Sequence, residues 1–225
     1  MRTADHMNLS RYIMDQMGVG ALGLNKALFI FGSIEPDINM LTYLRGSIRG
    51  EEKLRGHNYE NARMYMEKLT KKLERGGMGS LRQSFVLGKL VHYVADSFTY
   101  PHNSIFPGNL REHCQYETEL HSYVNKMIED GNVDMSKLDA DEDITAYLGN
   151  MHDSYVEAVP GPDTDYRFIT RAISMVTERF WQTDEVTVPA VQTVALACKE
   201  RIPVPANVSI TASGDSGMDV HTQVA

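Results

Sequence analysis

Three histidines and two carboxylates lie close together in the middle of this chain: His92, Asp96, His102, His113 and Glu117. His92 and Asp96 are spaced i,i+4, and so are His113 and Glu117. On a helix, this spacing places two side chains on one face with Cβ atoms ~5–6 Å apart. Imidazole nitrogens and carboxylate oxygens are the ligands of catalytic zinc, which keeps one position open for water and lowers the pKa of that water towards ~7. The stretch therefore predicts a metal site.

The number of potential ligands favours two metal ions over one. Three or four ligands complete one zinc ion, and more are available here from two helices and a loop. Adjacent ions need a bridging carboxylate, and Asp96 suits that role because His92 precedes it by one turn and His102 follows the predicted helix end. Either i,i+4 pair alone is usually a surface pair that contributes a few tenths of a kcal/mol. The prediction of a metal site therefore depends on both pairs occurring together with His102.

Helical patterns predict the elements that must position these residues, and almost nothing in the chain indicates a strand. Residues 80–83 have the pattern of a capping box, which opens a helix expected to continue to Tyr100, because the residue before Pro101 disfavours helical geometry. This helix is apolar on most sides and should be central. A buried ionised Asp96 on it is costly unless it is paired or binds a metal.

The other elements complete an all-α fold. A loop over residues 101–110 holds His102, and the turn over residues 32–37 places Asp37 on a loop. Further helices are predicted over residues 6–17, 57–74, 111–129, 144–157, 164–181 and 188–201. Residues 130–143 form an acidic connection. We expect one compact multi-helix domain over residues 1–201, with the metal cluster between central helices, and a disordered tail over residues 202–225.

Composition limits the classes of function. The 225 residues are 42% hydrophobic, enough for one substantial core, and the net charge of −8 argues against a protein that grips a nucleic-acid backbone. We expect no transmembrane segment, because no run of about 18 apolar residues occurs. No signal-peptide pattern is present, and Cys114 and Cys198 provide no disulfide framework, so the expected location is cytoplasmic. A secreted form after signal removal would look similar.

The order of the chemically active residues resembles the zinc-dependent phospholipase C family, and the fungal-type zinc nucleases that share its fold have a related pattern. The matching positions in this sequence are His6, Pro36-Asp37, His57, His92-x3-Asp96, Pro101-His102 and His113-x3-Glu117. The resemblance spans roughly residues 1–130 in ordered motif positions, and its central motif is the most specific part. It implies an all-helical fold and a cluster of two or three zinc ions.

Carried over by position, the resemblance implies three groups of ligands. The first zinc would be surrounded by Asp37, His57, His92 and Asp96, and the second would be held by His102, His113 and Glu117. His6 would bind a third zinc, with Asp96 as the bridge. In the family, this third ion also takes the free α-amino group of the mature N-terminal residue, commonly a tryptophan. Here the chain starts with Met1, whose amine could take that place because the bulky Arg2 favours retention of the methionine.

The activity that the resemblance implies is hydrolysis of a phosphodiester, most closely that of a phospholipid or its head-group ester. Metal ions would activate water for in-line attack on phosphorus, and Asp37 would either ligate the first zinc or take the proton from the attacking water. Two alternatives remain open: a zinc-dependent nuclease, for which nucleic acid would be the substrate, and a non-catalytic, metal-stabilised module that binds a phosphorylated ligand.

The other three histidines are not expected to bind metal. His121 repeats the i+4 step after Glu117, but it falls outside the family pattern and is expected near the ligands or at the surface. His152 is expected to be structural. His221 lies in the predicted tail.

Overall fold

Seven α-helices and one short 3-10 turn form the regular structure of the residues that the computed structural model describes, which are 1–19, 23–39, 58–76, 80–133 and 143–181. The helices are α1 Thr3–Gln16, α2 Leu24–Ile38, α3 Tyr59–Arg75, α4 Leu81–Ser97, α5 Leu110–Glu129, α6 Ile144–Val156 and α7 Pro162–Phe180, and the 3-10 turn is Tyr100–His102. No strand occurs in these ranges, so the predicted all-α fold is confirmed.

All of the described residues belong to one compact unit, Met1–Glu185. Several expectations lie outside them: His57, most of the acidic connection, the helix over residues 188–201 and the tail. Within the described ranges, no helix has the length and apolar character needed to cross a membrane.

Helix α4 is the centre of the fold, as its apolar sequence predicts. Every residue from Val86 to Ser97 is buried, and the helix packs against α2, α3 and α7. A helix in this position excludes water from its side chains on all sides. The two ligand candidates on α4, His92 and Asp96, therefore lie in the core rather than at the surface.

Helices α2 and α4 approach each other closely at a pair of glycines. A Cβ atom on Gly88 would lie 2.0 Å from the carbonyl oxygen of Phe29, and one on Gly32 would lie 2.3 Å from the carbonyl oxygen of Phe85. Only glycine fits at such distances, because the obstructing atoms belong to the backbone. This contact fixes the position of α2, and therefore of Asp37, relative to the ligand candidates on α4.

The expectation that Asp37 lies on a loop is wrong. Helix α2 continues through Pro36 and ends at Ile38, so Asp37 belongs to its last turn. Proline removes one i→i−4 hydrogen bond and usually breaks a helix. Here the buried Gly32, Ser33 and Pro36 form the contact face of α2, and the N–H of Asn39 donates to the carbonyl of Glu35 beyond the proline. Tertiary packing therefore outweighs the local preference.

The predicted end of α4 is also wrong, since the helix stops at Ser97 rather than at Tyr100. The side-chain amide of Asn103 donates to the carbonyl oxygens of Ser97 and Thr99, at 3.1 Å and 2.9 Å. These bonds satisfy carbonyls that would otherwise lack partners at the helix end. The chain then turns sharply, and Tyr100–His102 forms the 3-10 turn that carries His102.

Candidate metal centre

Four helices and the 3-10 turn bring the described ligand candidates to one place, while His57 lies outside the described residues. α1 carries His6, the last turn of α2 carries Asp37, the turn carries His102, α4 carries His92 and Asp96, and α5 carries His113 and Glu117. Two sets of these residues have ligand atoms within 4.8 Å of one another: His6 with His92 and Asp96, and His102 with His113 and Glu117.

The first set is fully buried around the carboxylate of Asp96. His6 Nε2 lies 3.2 Å from Asp96 Oδ1, and His92 Nε2 lies 3.3 Å from Asp96 Oδ2. The two oxygens of one carboxylate thus face two different histidines. By itself burial would raise the pKa of Asp96, but the positive charges of His102, the Met1 amine and His92 outweigh it and hold that pKa well below its usual range.

The ring of His92 is oriented by a backbone carbonyl of α2. Its Nδ1 lies 2.9 Å from the backbone carbonyl oxygen of Ser33, which can only accept, so Nδ1 carries a proton and Nε2 is the nitrogen that faces Asp96. This is the usual arrangement of a metal-binding histidine. The rings of His6 and His92 stack with centroids 4.0 Å apart. Burial and the neighbouring His92 lower the pKa of His6, which favours a neutral imidazole there.

The second set lies closer to solvent. His113 Nε2 is 3.2 Å from Glu117 Oε1, and His102 Nε2 is 3.4 Å from the same oxygen. His102 also faces the first set, because its Nδ1 lies 3.5 Å from Asp96 Oδ2. The side chain of His113 is 28% exposed, whereas that of Asp96 is 1% exposed. The second set therefore forms the accessible side of the cluster.

Asp37 and the α-amino group of Met1 complete the arrangement. Asp37 Oδ1 lies 3.7 Å from His92 Nε2. The Met1 nitrogen lies 3.1 Å from Asp96 Oδ1 and 2.9 Å from Glu117 Oε1, so it stands between the two sets. Burial alone would lower the pKa of this amine, but Asp96 and Glu117 raise it to about 11.

A cavity of about 610 Å³ leads to this cluster. Asp37, His102, His113 and Glu117 form its polar wall, and the apolar Phe106 and Leu110 belong to its lining as well. The ring of Phe106 meets the ring of His113 edge to face, with centroids 6.3 Å apart. A ligand in the cavity can therefore reach the accessible set and Asp37 at once.

The donor set fits zinc. His6 Nε2 and His102 Nδ1 are buried and make no hydrogen bond within the described ranges, although both face Asp96. A buried polar atom without a partner is costly, and a cation between imidazole nitrogens and carboxylate oxygens would remove that cost. The described ligand atoms are all imidazole nitrogens, carboxylate oxygens or an amine, the types that suit zinc.

Comparison with known proteins agrees with this chemistry. Residues 5–161 match the family model described as zinc dependent phospholipase C. The chain belongs to the zinc-dependent phospholipase C family. It is accordingly a zinc-dependent phosphodiester hydrolase of the phospholipase C type, and the recognition made from the motif order is confirmed. Searches of curated proteins and of solved structures find no match.

Two histidines outside the phospholipase C motif are held by other groups. His121 contacts the buried carboxylate of Asp5 through Nδ1, so it lies behind the first turn of α1. His152 stacks on Tyr59 with ring centroids 3.4 Å apart, and its Nε2 lies 2.7 Å from the Asn103 side-chain oxygen. Both contacts agree with the sequence interpretation of these two residues.

Sequence reasoning missed the groups that orient the candidate ligands. Ser33 acts through its backbone carbonyl, which any residue type could supply, so the sequence carried no signal for it. Asn103 directly follows His102, and an amide at that place could have been noticed as a helix-end partner. The carboxylate of Asp165 accepts a hydrogen bond from the N–H of Tyr100, 65 residues away, which no local pattern predicts.

Proposed function

We propose that this protein hydrolyses the phosphodiester bond of a phospholipid head group with a cluster of two or three zinc ions. The observation that carries the proposal is the position of Asp96, whose carboxylate faces His6 through one oxygen and His92 through the other, while His102 approaches it from the second set. A carboxylate shared in this way is suited to bridge neighbouring ions.

In the proposed arrangement, the two sets of ligands hold up to three ions. His92 and Asp96 would hold the first zinc with Asp37, and His6 would bind the third. His102, His113 and Glu117 would hold the second, accessible zinc. His57 is proposed for the first zinc from the motif order alone. The nearness of the Met1 nitrogen to Asp96 supports the amine as a further ligand of the third ion.

Individual residues of the chain would have separate roles in the reaction. When bound, zinc ions would supply an acidified water and positive charge for the phosphoryl oxygens. Asp37, at the cavity wall, would accept the proton of the attacking water as its oxygen bonds to phosphorus. The bond from phosphorus to the leaving alkoxide would break in line. The alkoxide would take up a proton from solvent, and Asp37 would return its proton to solvent. His92 would offer Nε2 to the ion, because its Nδ1 donates to the Ser33 carbonyl.

The lining of the cavity favours a lipid over a nucleic acid. Leu110 is 78% exposed at this cavity, and Phe106 supplies a further apolar surface. A nuclease would use a positive groove that follows the phosphate backbone. Among the described residues that line the cavity, Arg2 supplies the only lysine or arginine side chain. An apolar rim beside a phosphodiester site suits a substrate with acyl chains.

The test is a substrate panel with the zinc-loaded protein: a chromogenic phosphocholine ester, a short-chain phospholipid, a bis-aryl phosphodiester and single-stranded DNA. We expect hydrolysis of the first two, abolished by a chelator and restored by zinc. Asp37→Asn serves as the matched control against a contaminating hydrolase. Cleavage of DNA alone would assign the protein to the nuclease alternative, and stoichiometric zinc without any hydrolysis would assign it to the binding-module alternative.

A further inference from the structure

A buried carboxylate on α7 lies at the centre of a hydrogen-bond network that borders the zinc ligands. Asp165 is 0% exposed, and its Oδ2 accepts hydrogen bonds from the N–H of Tyr100 and the hydroxyl of Tyr116, each at 2.9 Å. Its Oδ1 accepts a third from the hydroxyl of Tyr155 at 2.7 Å. α7 follows the segment that matches the family, which ends at residue 161.

Two of these donors belong to the segments that carry ligands. Tyr100 is the first residue of the 3-10 turn that ends at His102, and Tyr116 directly precedes Glu117 on α5. A single oxygen of Asp165 therefore joins the turn to α5. His102 and Glu117 lie on separate segments of the chain, so their relative position depends on contacts of this kind.

The residue that follows His102 is anchored as well. Asn103 uses both N–H groups of its amide on the carbonyls of Ser97 and Thr99, so its oxygen is left to accept from His152 Nε2. His152 must therefore carry its proton on Nε2. The backbone is thus anchored on both sides of His102.

The ring of His102 lacks the backbone contact that orients the ring of His92. The Nδ1 of His92 is fixed by the Ser33 carbonyl, as is usual for a metal-binding histidine. Both ring nitrogens of His102 face carboxylates instead: Nε2 lies 3.4 Å from Glu117 Oε1, and Nδ1 lies 3.5 Å from Asp96 Oδ2. The ring is held through the backbone of its turn, at Tyr100 and Asn103.

We propose that Asp165 is a positioning residue for the accessible zinc site, because it holds His102 in register with Glu117. The inference rests on the proposed ligand set. An ionised carboxylate can only accept, so both tyrosine hydroxyls must donate to it. With three donors in place, the carboxylate cannot rotate away, and the turn and α5 cannot shift independently.

The test compares Asp165→Asn with Tyr166→Phe in the full-length, zinc-loaded protein. Tyr166 neighbours Asp165 on α7, and its buried hydroxyl donates to the Asn132 carbonyl at 2.8 Å, away from the ligands. Stepwise zinc affinity is measured by competition with a chromophoric chelator. For Asp165→Asn we expect one ion to bind about 10–100-fold more weakly, with the tighter sites unchanged. Tyr166→Phe should leave every step unchanged.

A set of other outcomes would overturn the proposal. These are wild-type zinc affinity in Asp165→Asn, equal weakening of all ions, or the same loss in Tyr166→Phe. If Asp165→Asn does not fold, Tyr116→Phe removes only one of the three bonds and must still weaken one ion. If the wild-type protein binds zinc but hydrolyses nothing in the substrate panel, the proposed function fails, whereas the affinity comparison still decides the role of Asp165.

Discussion

Replacing Gly88 by alanine would force α2 and α4 apart at their closest approach. A Cβ at this position would lie 2.0 Å from the Phe29 carbonyl oxygen and 2.8 Å from the Ser33 nitrogen. Both obstructing atoms are backbone and cannot turn away. Because non-bonded atoms prefer separations of about 3.5 Å, the two helices would have to separate by roughly 1 Å or more.

The expected magnitude follows from two opposing effects. Alanine is favoured over glycine in a helix interior by about 1 kcal/mol. Overfilling a packed core costs about 1–3 kcal/mol, and a backbone clash belongs to the upper end of that range. We therefore expect a net loss of about 1–2 kcal/mol in the free energy of unfolding. The shift would also move the Ser33 carbonyl away from His92, so zinc affinity should fall.

Gly149→Ala is the matched control, because Gly149 lies within α6 and a Cβ there would meet nothing within 4 Å. This control should gain up to about 1 kcal/mol. Urea unfolding of both variants, with zinc and with chelator, measures the difference, and elemental analysis measures the zinc content. A Gly88→Ala protein that is as stable as Gly149→Ala and retains full zinc would refute the close contact and its coupling to the site.

Four further predictions concern the site and its surroundings. Asp37→Asn should retain most of the zinc but lose turnover by about 10²–10⁴-fold, and near wild-type activity would remove Asp37 from the mechanism. His92→Ala and Glu117→Ala should each lower the zinc content measured by elemental analysis, and unchanged content would exclude the residue as a ligand. Acetylation of the Met1 amine should weaken one ion in a chelator competition, and full metal content with full activity would exclude that amine. Burial lowers the pKa of His152 from 6.5 to about 4, so its contribution to stability is complete above pH 6.5 and disappears as the pH falls towards 4. In chelator, the free energy of unfolding of His152→Gln should therefore fall by about 1–3 kcal/mol less than that of wild type between pH 7 and pH 4, and an equal fall in both proteins would contradict this.

The sequence was most informative where chemistry depends on local spacing. The i,i+4 pairs of α4 and α5 needed only helical geometry to bring their side chains together, and both pairs face the cluster. Local preference failed at Pro36, because the glycine contact between α2 and α4 stabilises a helix that proline would otherwise end. The end of α4 depends on Asn103, a partner from the following turn.

The sequence pattern did not predict the groups that hold the candidate ligands from distant parts of the chain. The carbonyl of Ser33 contacts a ring 59 residues later in the chain, and a backbone group has no signature in the sequence. Asp165 resembles any acidic residue in the first turn of a helix, where the helix dipole alone would explain it. Its three donors become apparent only when α5, α6 and the 3-10 turn surround it.

Helix α7 carries none of the proposed zinc ligands, but it belongs to the same compact unit as the helices that do. A fragment that stopped at residue 161 would retain every proposed zinc ligand and the whole segment that matches the family. It would lack Ile169, Ile173 and Val176, which are buried in the core that includes α4 and α5. It would also leave three hydrogen-bond donors without their common acceptor. The smallest active form of the protein should therefore extend at least to Phe180, because the ligands also need the packing and the hydrogen bonds that α7 provides.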